Sequence, residues 1–232
     1  MQSVFIGSDS ELITRILHLH RSGPRVLDVT FGHGRFWGRD DLVGPGQEKY
    51  RVLGLDLRMA SLDVRAQLAR FPQVEGVFAG DYTKLPFKRG SFDVVICDPP
   101  FLARGGAGSR MKQRYSVTGT YEDLLLSLER GMDEFVRVLK PKGIVILKMM
   151  DLTEGRRRRW SHIDIANLWI PRLRLDDLII KIAPQSMDSP TWKSQQRSRA
   201  SHTYFMVFRP VRRYPSNNVS DDRPVAAGHE IA

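Results

Sequence analysis

Short apolar segments recur along this chain, separated by stretches that predict helices or turns. Five of them are almost continuously apolar, with little alternation of apolar and polar residues: 25–30, 51–56, 74–79, 92–97 and 144–148. Strands of this kind are typical of a parallel sheet that helices cover on both faces. Two further strands are predicted at 178–182 and 202–208. The sequence therefore predicts an α/β fold with a doubly wound, mostly parallel sheet of seven strands.

Helices are predicted between several of these strands. The clearest spans 121–140 and carries an apolar stripe at helical spacing: Leu125, Leu128, Met132, Phe135, Val136 and Leu139. Ser8 and Glu11 have the spacing of a capping box and predict a helix that runs to about Arg21. Further helices are predicted over 60–71 and 161–170.

Composition limits the class of protein. A chain of 232 residues is long enough for one well-buried domain, which we place at 1–211, and the polar, unpatterned residues 212–232 predict a disordered tail. The single cysteine, Cys97, excludes an internal disulfide framework, and the scattered histidines predict no metal site. Neither a secretory signal nor a membrane-spanning apolar run is visible, so we expect a cytoplasmic protein.

The loop that follows the first strand contains two glycines, Gly32 and Gly34. They allow a tight turn and a close approach of the backbone to a ligand, although such a pair alone is also typical of an ordinary turn. Asp56 ends the second strand, where it can accept hydrogen bonds from ribose hydroxyls. Asp81, after the third strand, can receive the amine of an adenine ring. Trp37 occupies the place of the third glycine of a dinucleotide loop, which disfavours NAD.

The fourth strand runs directly into Asp98-Pro99-Pro100-Phe101. An aromatic amine is a poor nucleophile because its lone pair is delocalised into the ring. A carboxylate and a backbone carbonyl that each accept one N–H would make that lone pair available. The prolines stiffen the backbone so that the Pro99 carbonyl can point into a pocket, and Phe101 offers a flat surface for a base. This tetrapeptide predicts methyl transfer onto a base.

Together, the segment from Val26 to Gly34, the two acids Asp56 and Asp81, and the Asp98 tetrapeptide resemble the class I S-adenosylmethionine-dependent amino-methyltransferases of nucleic acids. The resemblance covers roughly residues 5–210. It implies a Rossmann-like methyltransferase sheet whose last strand is antiparallel, with S-adenosylmethionine as the cofactor. The cofactor residues that it implies are Asp28, Thr30, Gly32 and Gly34 at the methionine part, Asp56 at the ribose, and Asp81 with Tyr82 at the adenine.

The resemblance also implies that Asp98, Pro99, Pro100 and Phe101 hold the target base. Relatives with Asp at the first position of the tetrapeptide usually act on adenine N6, so adenine in DNA is the expected acceptor. Two alternatives stay open. One is an RNA amino-methyltransferase that acts on adenine N6 or guanine N2, and the other is a non-catalytic nucleic-acid-binding subunit. No separate target-recognition domain follows the seventh strand, so recognition would come from core loops, a partner subunit or a homodimer.

The net charge of +10 favours a polyanionic partner, and it is concentrated in three loops: 102–119, 152–162 and 185–201. Their net charges are +4, +3 and +2, and all three follow strands at the edge where the ligand site is expected. We therefore predict a phosphate-binding rim. Its residues are Arg104, Arg110, Lys112, Arg114, Arg156, Arg157, Arg158, Arg159, Lys193, Arg197 and Arg199.

Overall fold

The computed structural model describes residues 1–20, 23–38, 49–57, 70–100, 120–154, 157–170, 172–182 and 201–211. Eight of its strands form one sheet: β1 (Val4–Ile6), β2 (Arg25–Asp28), β3 (Arg51–Asp56), β4 (Val74–Ala79), β5 (Phe92–Cys97), β6 (Leu139–Met149), β9 (Leu173–Ile182) and β10 (His202–Pro210). Their order across the sheet is β1-β9-β10-β6-β5-β2-β3-β4. A separate hairpin pairs β7 (Leu152–Glu154) with β8 (Arg157–Arg159).

The strands β2, β3, β4, β5 and β6 run parallel to one another. β10 runs antiparallel to both β6 and β9. The predicted fold class, with its antiparallel last strand, is confirmed. The predicted number of strands is wrong by one, because β1 pairs in parallel with β9 and extends the sheet at its edge. β1 has only three residues, which is too short for a recognisable apolar pattern.

Three helices lie among the described residues: α1 (Asp9–Leu19), α2 (Tyr121–Val138) and α3 (Ser161–Trp169). The predicted start of α1 is confirmed, since the Ser8 side chain accepts a hydrogen bond from the Glu11 N–H. α2 begins with a full capping box between Thr120 and Asp123. α2 ends at Val138, and β6 starts earlier than predicted. A Cβ atom on Gly143 would lie 2.9 Å from the carbonyl oxygen of Asp93, so this glycine permits β6 to pass close to β5.

Successive residues of the central strands contribute to two different apolar clusters. Leu27 and Val95 pack on the face that α2 and α3 cover, whereas Val26 and Ile96 pack on the face that α1 covers. Burial on both faces explains why these strands are continuously apolar in sequence.

Some predictions fall outside the described residues, notably most of the helix over 60–71 and the tail over 212–232. Within the described part of the chain, no helix combines the length and the apolarity that a membrane span needs.

Candidate active site

The carboxyl ends of β2 and β5 lie side by side at the centre of the sheet, with β3 and β4 on one side and β6 on the other. The chain order reverses at this point, and in open parallel sheets ligands bind in the crevice just beyond such a reversal. Two hydrogen bonds join the segments that leave the strands. The Val29 N–H donates to the Ile96 carbonyl at 2.9 Å, and the Asp98 N–H donates to Thr30 Oγ1 at 2.6 Å. The glycine loop and the Asp98 segment are therefore held together.

The two glycines of the loop have left-handed backbones, with φ of +53° at Gly32 and +66° at Gly34. Their surroundings differ. A Cβ atom on Gly34 would lie 2.5 Å from the Phe71 ring, whereas the described residues place only the Thr30 carbonyl oxygen near a Cβ on Gly32, at 3.7 Å. Gly34 thus permits close internal packing, whereas Gly32 allows the backbone turn that the loop needs after β2.

Asp28 lies beneath this loop and is only 1% exposed. Its Oδ2 accepts a hydrogen bond from Trp37 Nε1 at 2.9 Å, and its Oδ1 accepts one from the Thr30 N–H at 3.1 Å. Burial raises the pKa of Asp28 to about 7, although both hydrogen bonds oppose the shift. In this conformation Asp28 holds the loop in place, and Trp37 is the residue that anchors it.

Asp56 joins the end of β3 to the same loop. Its Oδ2 accepts a hydrogen bond from the Gly32 N–H at 2.9 Å, and the residue is 7% exposed. Asp56 therefore lies beside the glycine loop at the carboxyl end of β3, and its role at the ribose stays a prediction.

The segment after β4 contains the two residues that the resemblance assigns to the adenine. Asp81 is exposed, and its Oδ1 accepts a hydrogen bond from the Thr83 N–H at 2.8 Å. The hydroxyl of Tyr82 lies 2.6 Å from Ser127 Oγ, and its ring packs against Phe135 of α2. Tyr82 thus fixes this segment on α2, while Asp81 stays accessible.

Asp98 lies at the end of β5 with 26% of its side chain exposed. Its Oδ2 accepts a hydrogen bond from Lys148 Nζ at 2.9 Å, and none of the described residues donates to Oδ1. Burial raises the pKa of Asp98, with Lys148 opposing this shift and Asp9 adding to it. Pro99 is buried and Pro100 is exposed, and Phe101 lies outside the described residues.

Sequence reasoning missed Lys148 and its second partner, Asp9. Lys148 Nζ also donates to Asp9 Oδ2 at 3.0 Å. The sequence feature that could have indicated Lys148 was its position at the end of the otherwise apolar segment 144–148. Asp9 carried no such signal, because an acid in the first turn of a helix is common.

Only part of the predicted phosphate-binding rim lies within the residues that the structure describes. Arg104, Arg110, Lys112, Arg114, Arg156, Lys193, Arg197 and Arg199 lie outside the described residues. The three arginines of β8 differ from one another. Arg157 is exposed, and Arg158 lies over the ring of Trp160, which is 53% exposed. Arg159 donates to Glu122 at 2.7 Å and to Glu154 at 3.0 Å, so internal ion pairs already engage it.

The geometry fits a nucleoside cofactor with an amino-acid part. It brings together the glycine loop at Gly32, the carboxylate of Asp56 beside it, and the Asp98 segment across the crevice. Residues 27–99 match the family model described as a methyltransferase domain. The match covers less than half of the chain, and the sheet order is that of a Rossmann-like methyltransferase fold. Fold and family match together imply S-adenosylmethionine as the cofactor.

Similarity to individual proteins is distant. The chain is 29% identical over 158 residues to a phthiotriol/phenolphthiotriol dimycocerosates methyltransferase of Mycobacterium leprae, covering 66% of this chain and 46% of that protein. The chain thus spans less than half of that relative's length. Among solved structures, it resembles a chain from the complex of the Haloferax volcanii Trm112 methyltransferase activator with a methyltransferase, at 16% identity and a TM-score of 0.58, covering 90% and 91% of the two chains. An Aquifex aeolicus S-adenosylmethionine-dependent methyltransferase gives 14% identity and a TM-score of 0.53, covering 87% and 89%. These structural likenesses concern the fold.

Proposed function

We propose that this chain transfers the methyl group of S-adenosylmethionine to the exocyclic amine of a nucleic-acid base, with adenine N6 in DNA as the expected acceptor. The observation that carries the proposal is the placement of Asp98. Its backbone is fixed to the glycine loop through Thr30, and its Oδ1 receives no hydrogen bond from the described residues. A carboxylate oxygen so placed is suited to accept an N–H from an acceptor amine beside the cofactor.

S-adenosylmethionine, when bound, supplies an electrophilic methyl group on its sulfonium sulfur. Asp98 Oδ1 and the Pro99 carbonyl each accept one N–H of the acceptor amine, which turns the nitrogen lone pair away from the ring. Thr30 keeps Asp98 next to the cofactor loop while this happens. The contribution of these residues is orientation and electrostatic complementarity to the charge that develops on the amine.

Binding of a nucleic acid by the basic surface is part of the same proposal. Arg157 is exposed on β8, and Trp160, whose exposed ring lies beneath Arg158, directly follows this strand. A cation beside an aromatic ring suits a phosphate next to a stacked base. In duplex DNA the target base must leave the stack, which costs a few kcal/mol and is offset by stacking and hydrogen bonds in the pocket.

A second candidate acceptor is suggested by the name of the mycobacterial relative. That protein is a methyltransferase of phthiotriol and phenolphthiotriol dimycocerosates, and its 29% identity to this chain supports an acceptor of the same kind. The surplus of cations, 36 Lys and Arg against 26 Asp and Glu, favours the polyanion instead.

One experiment separates these candidates. The chain is incubated with methyl-labelled S-adenosylmethionine and, in parallel, with duplex DNA, single-stranded DNA, structured RNA and a phthiotriol dimycocerosate. Product analysis then identifies the methylated compound, and the Asp98→Ala variant serves as the control in every arm. We expect N6-methyladenine in DNA with the wild-type chain only. Label in RNA alone would replace DNA as the substrate, and label in the dimycocerosate alone would overturn the proposal.

A further inference from the structure

Lys148 is a largely buried lysine near the carboxyl end of its strand. It belongs to β6 and has 13% of its side chain exposed. Its neighbour on the same strand face, Ile146, and its partner across the strand pair, Phe205, both belong to the apolar cluster under α1. The Lys148 ammonium lies 5.4 Å from the centre of the Phe36 ring. A cation in such surroundings needs partners, and it has two carboxylates.

The ion pairs of Lys148 continue into a longer arrangement. Nζ donates to Asp98 Oδ2 at 2.9 Å and to Asp9 Oδ2 at 3.0 Å, and Lys181 Nζ lies 2.6 Å from Asp9 Oδ1. Asp98, Lys148, Asp9 and Lys181 thus form a chain of alternating charge, which we call the charge chain. Asp98 directly follows β5, and the other three lie on β6, α1 and β9. The charge chain links the carboxylate at the acceptor site to the N-terminal helix.

Each charge in this chain depends on its neighbours. Burial alone would lower the pKa of Lys148, but Asp98 and Asp9 outweigh it and raise that pKa. Burial would raise the pKa of Asp9, but Lys148 and Lys181 hold it below its usual value.

The groups that face Asp98 act in both directions. Asp9 on α1 favours its neutral form, whereas Lys148 on β6 and Arg35 in the turn after the glycine loop favour its charged form. Asp28 on β2 is close enough that the charge of Asp98 adds to the rise in the pKa of Asp28. Lys181 on β9 faces Asp9 and is not bonded to Asp98. Lys148 is therefore the cation in direct contact with the carboxylate.

A purely structural reason for this lysine is weak. Buried ion pairs contribute little net stability compared with apolar residues of similar size, because both charges lose their hydration. The rest of this face of β6 is apolar at Ile144 and Ile146, and an apolar residue at 148 would continue that pattern. The lysine appears where the strand reaches Asp98. Its contact with that carboxylate points to a role in the acceptor site.

We propose that Lys148 is a positioning residue of the acceptor site: by holding Oδ2 of Asp98, it favours the charged form of that carboxylate and presents Oδ1 to the acceptor amine. This inference rests on the proposed function. In this arrangement Oδ2 of Asp98 is bound to Lys148, and Oδ1 binds the acceptor. Asp9 and Lys181 contribute indirectly, because they fix the position of the Lys148 ammonium.

The test compares Lys148→Met with Lys181→Met. Both variants remove a partly buried ammonium from the charge chain, but only the first removes the contact with Asp98. If methyl transfer needs charged Asp98, the rate falls at acid pH, and Lys148→Met moves this limb of the kcat profile to higher pH by about one unit or more. Lys181→Met is expected to lower stability without moving the limb. Lys148→Arg is expected to restore most of the wild-type profile.

Asp9→Asn is expected to move the acid limb in the opposite direction to Lys148→Met. It keeps the inference testable if Lys148→Met does not fold. Asp9 favours the neutral form of Asp98, so its neutralisation is expected to move the acid limb to lower pH. A merely structural role of the charge chain would give the same direction, or no shift, for both variants.

Carboxyl-carbon NMR of Asp-labelled protein provides a readout that needs no turnover, with the Asp98 resonance assigned by its loss in Asp98→Ala. We expect the Asp98 titration midpoint to rise in Lys148→Met and to stay unchanged in Lys181→Met. An unchanged midpoint and an unchanged pH profile in Lys148→Met would overturn the inference while leaving the proposed function intact. Absence of base methylation by the wild-type chain would instead be a failure of the proposed function, and the NMR comparison would still report on Lys148.

Discussion

The hydroxyl of Thr30 accepts a hydrogen bond from the backbone N–H of Asp98 at 2.6 Å, and this contact joins the cofactor loop to the acceptor site. The two residues leave adjacent parallel strands, β2 and β5. Because the Asp98 N–H is satisfied by a side chain, the segment 98–100 can leave the sheet without a backbone partner at that point.

Replacement of Thr30 by Val removes the hydroxyl and keeps the shape of the side chain. The Asp98 N–H then lacks its partner, which typically costs about 1–3 kcal/mol for a buried donor. We expect a lower kcat, measured by steady-state kinetics. Thr30→Ser retains the hydroxyl and is the matched control. Equal kcat values in the two variants would show that this hydrogen bond is irrelevant to the acceptor site.

Asp56 is expected to bind the ribose hydroxyls of the cofactor. Asp56→Ala should weaken S-adenosylmethionine binding by about 1–3 kcal/mol, the usual size of a lost charge-assisted hydrogen bond. Calorimetry measures the change, and circular dichroism confirms that the variant is folded. Because Asp56 also holds the Gly32 N–H, Asp56→Asn is a useful comparison that keeps one acceptor oxygen. Undiminished affinity in folded Asp56→Ala would remove this residue from the cofactor site.

Asp28 is expected to make stability depend on pH. Its pKa is raised to about 7 in the folded chain, whereas an aspartate in an unfolded chain has a pKa of about 3.9. The folded state therefore binds the proton more tightly, and the associated stability is complete below pH 4 and lost as pH rises through 7. The full effect of such a shift is on the order of 4 kcal/mol.

Denaturant titrations between pH 4 and 8 test this dependence. Asp28→Asn should have a flatter profile than the wild type, whereas Asp81→Asn, at an exposed carboxylate, should keep the wild-type profile. Parallel profiles for the wild type and Asp28→Asn would contradict the raised pKa.

The fold was predictable because its signal is local. A strand that is buried on both faces must be apolar throughout, and this pattern located β2, β3, β4 and β5 from sequence. The hairpin of β7 and β8 was missed because Arg157 to Arg159 form a polar run without alternating apolar residues, and such a run is typical of a loop. Arg159 is stabilised there by Glu122, which belongs to α2 and is distant in sequence.

The candidate site was predictable only in part. Gly32, Asp56 and Asp98 each follow a predicted strand, so their common edge could be inferred. The contact between Asp98 and Lys148 could not, because it depends on the register that places Cys97 opposite Leu147. The inward role of Asp28 was also hidden, since it requires the Trp37 indole to fold back beneath the loop.

The exposed part of β8 should contribute to nucleic-acid binding. A double replacement of Arg157 and Arg158 by Ala is expected to weaken DNA binding for all sequences and to reduce the slope of log K against log salt by up to about 2, since each phosphate contact contributes about 0.9. The matched control replaces Lys88 and Arg89, exposed cations that precede β5 at the opposite edge of the sheet. Fluorescence anisotropy over a salt series measures both variants. Equal slopes for both would assign Arg157 and Arg158 to an ordinary solvated surface.

The most direct test of the account is the effect of Asp98→Ala on chemistry and on cofactor binding, measured on the same preparation. Asp98 is proposed to contact the acceptor amine and is not assigned to the cofactor, so the two quantities should separate. We predict that N6-methyladenine formation in DNA, followed by nucleoside analysis, is lost, while the calorimetric Kd for S-adenosylmethionine stays within about threefold of the wild-type value. Methylation of DNA by Asp98→Ala at a rate close to that of the wild type would contradict the assignment of Asp98 to amine activation.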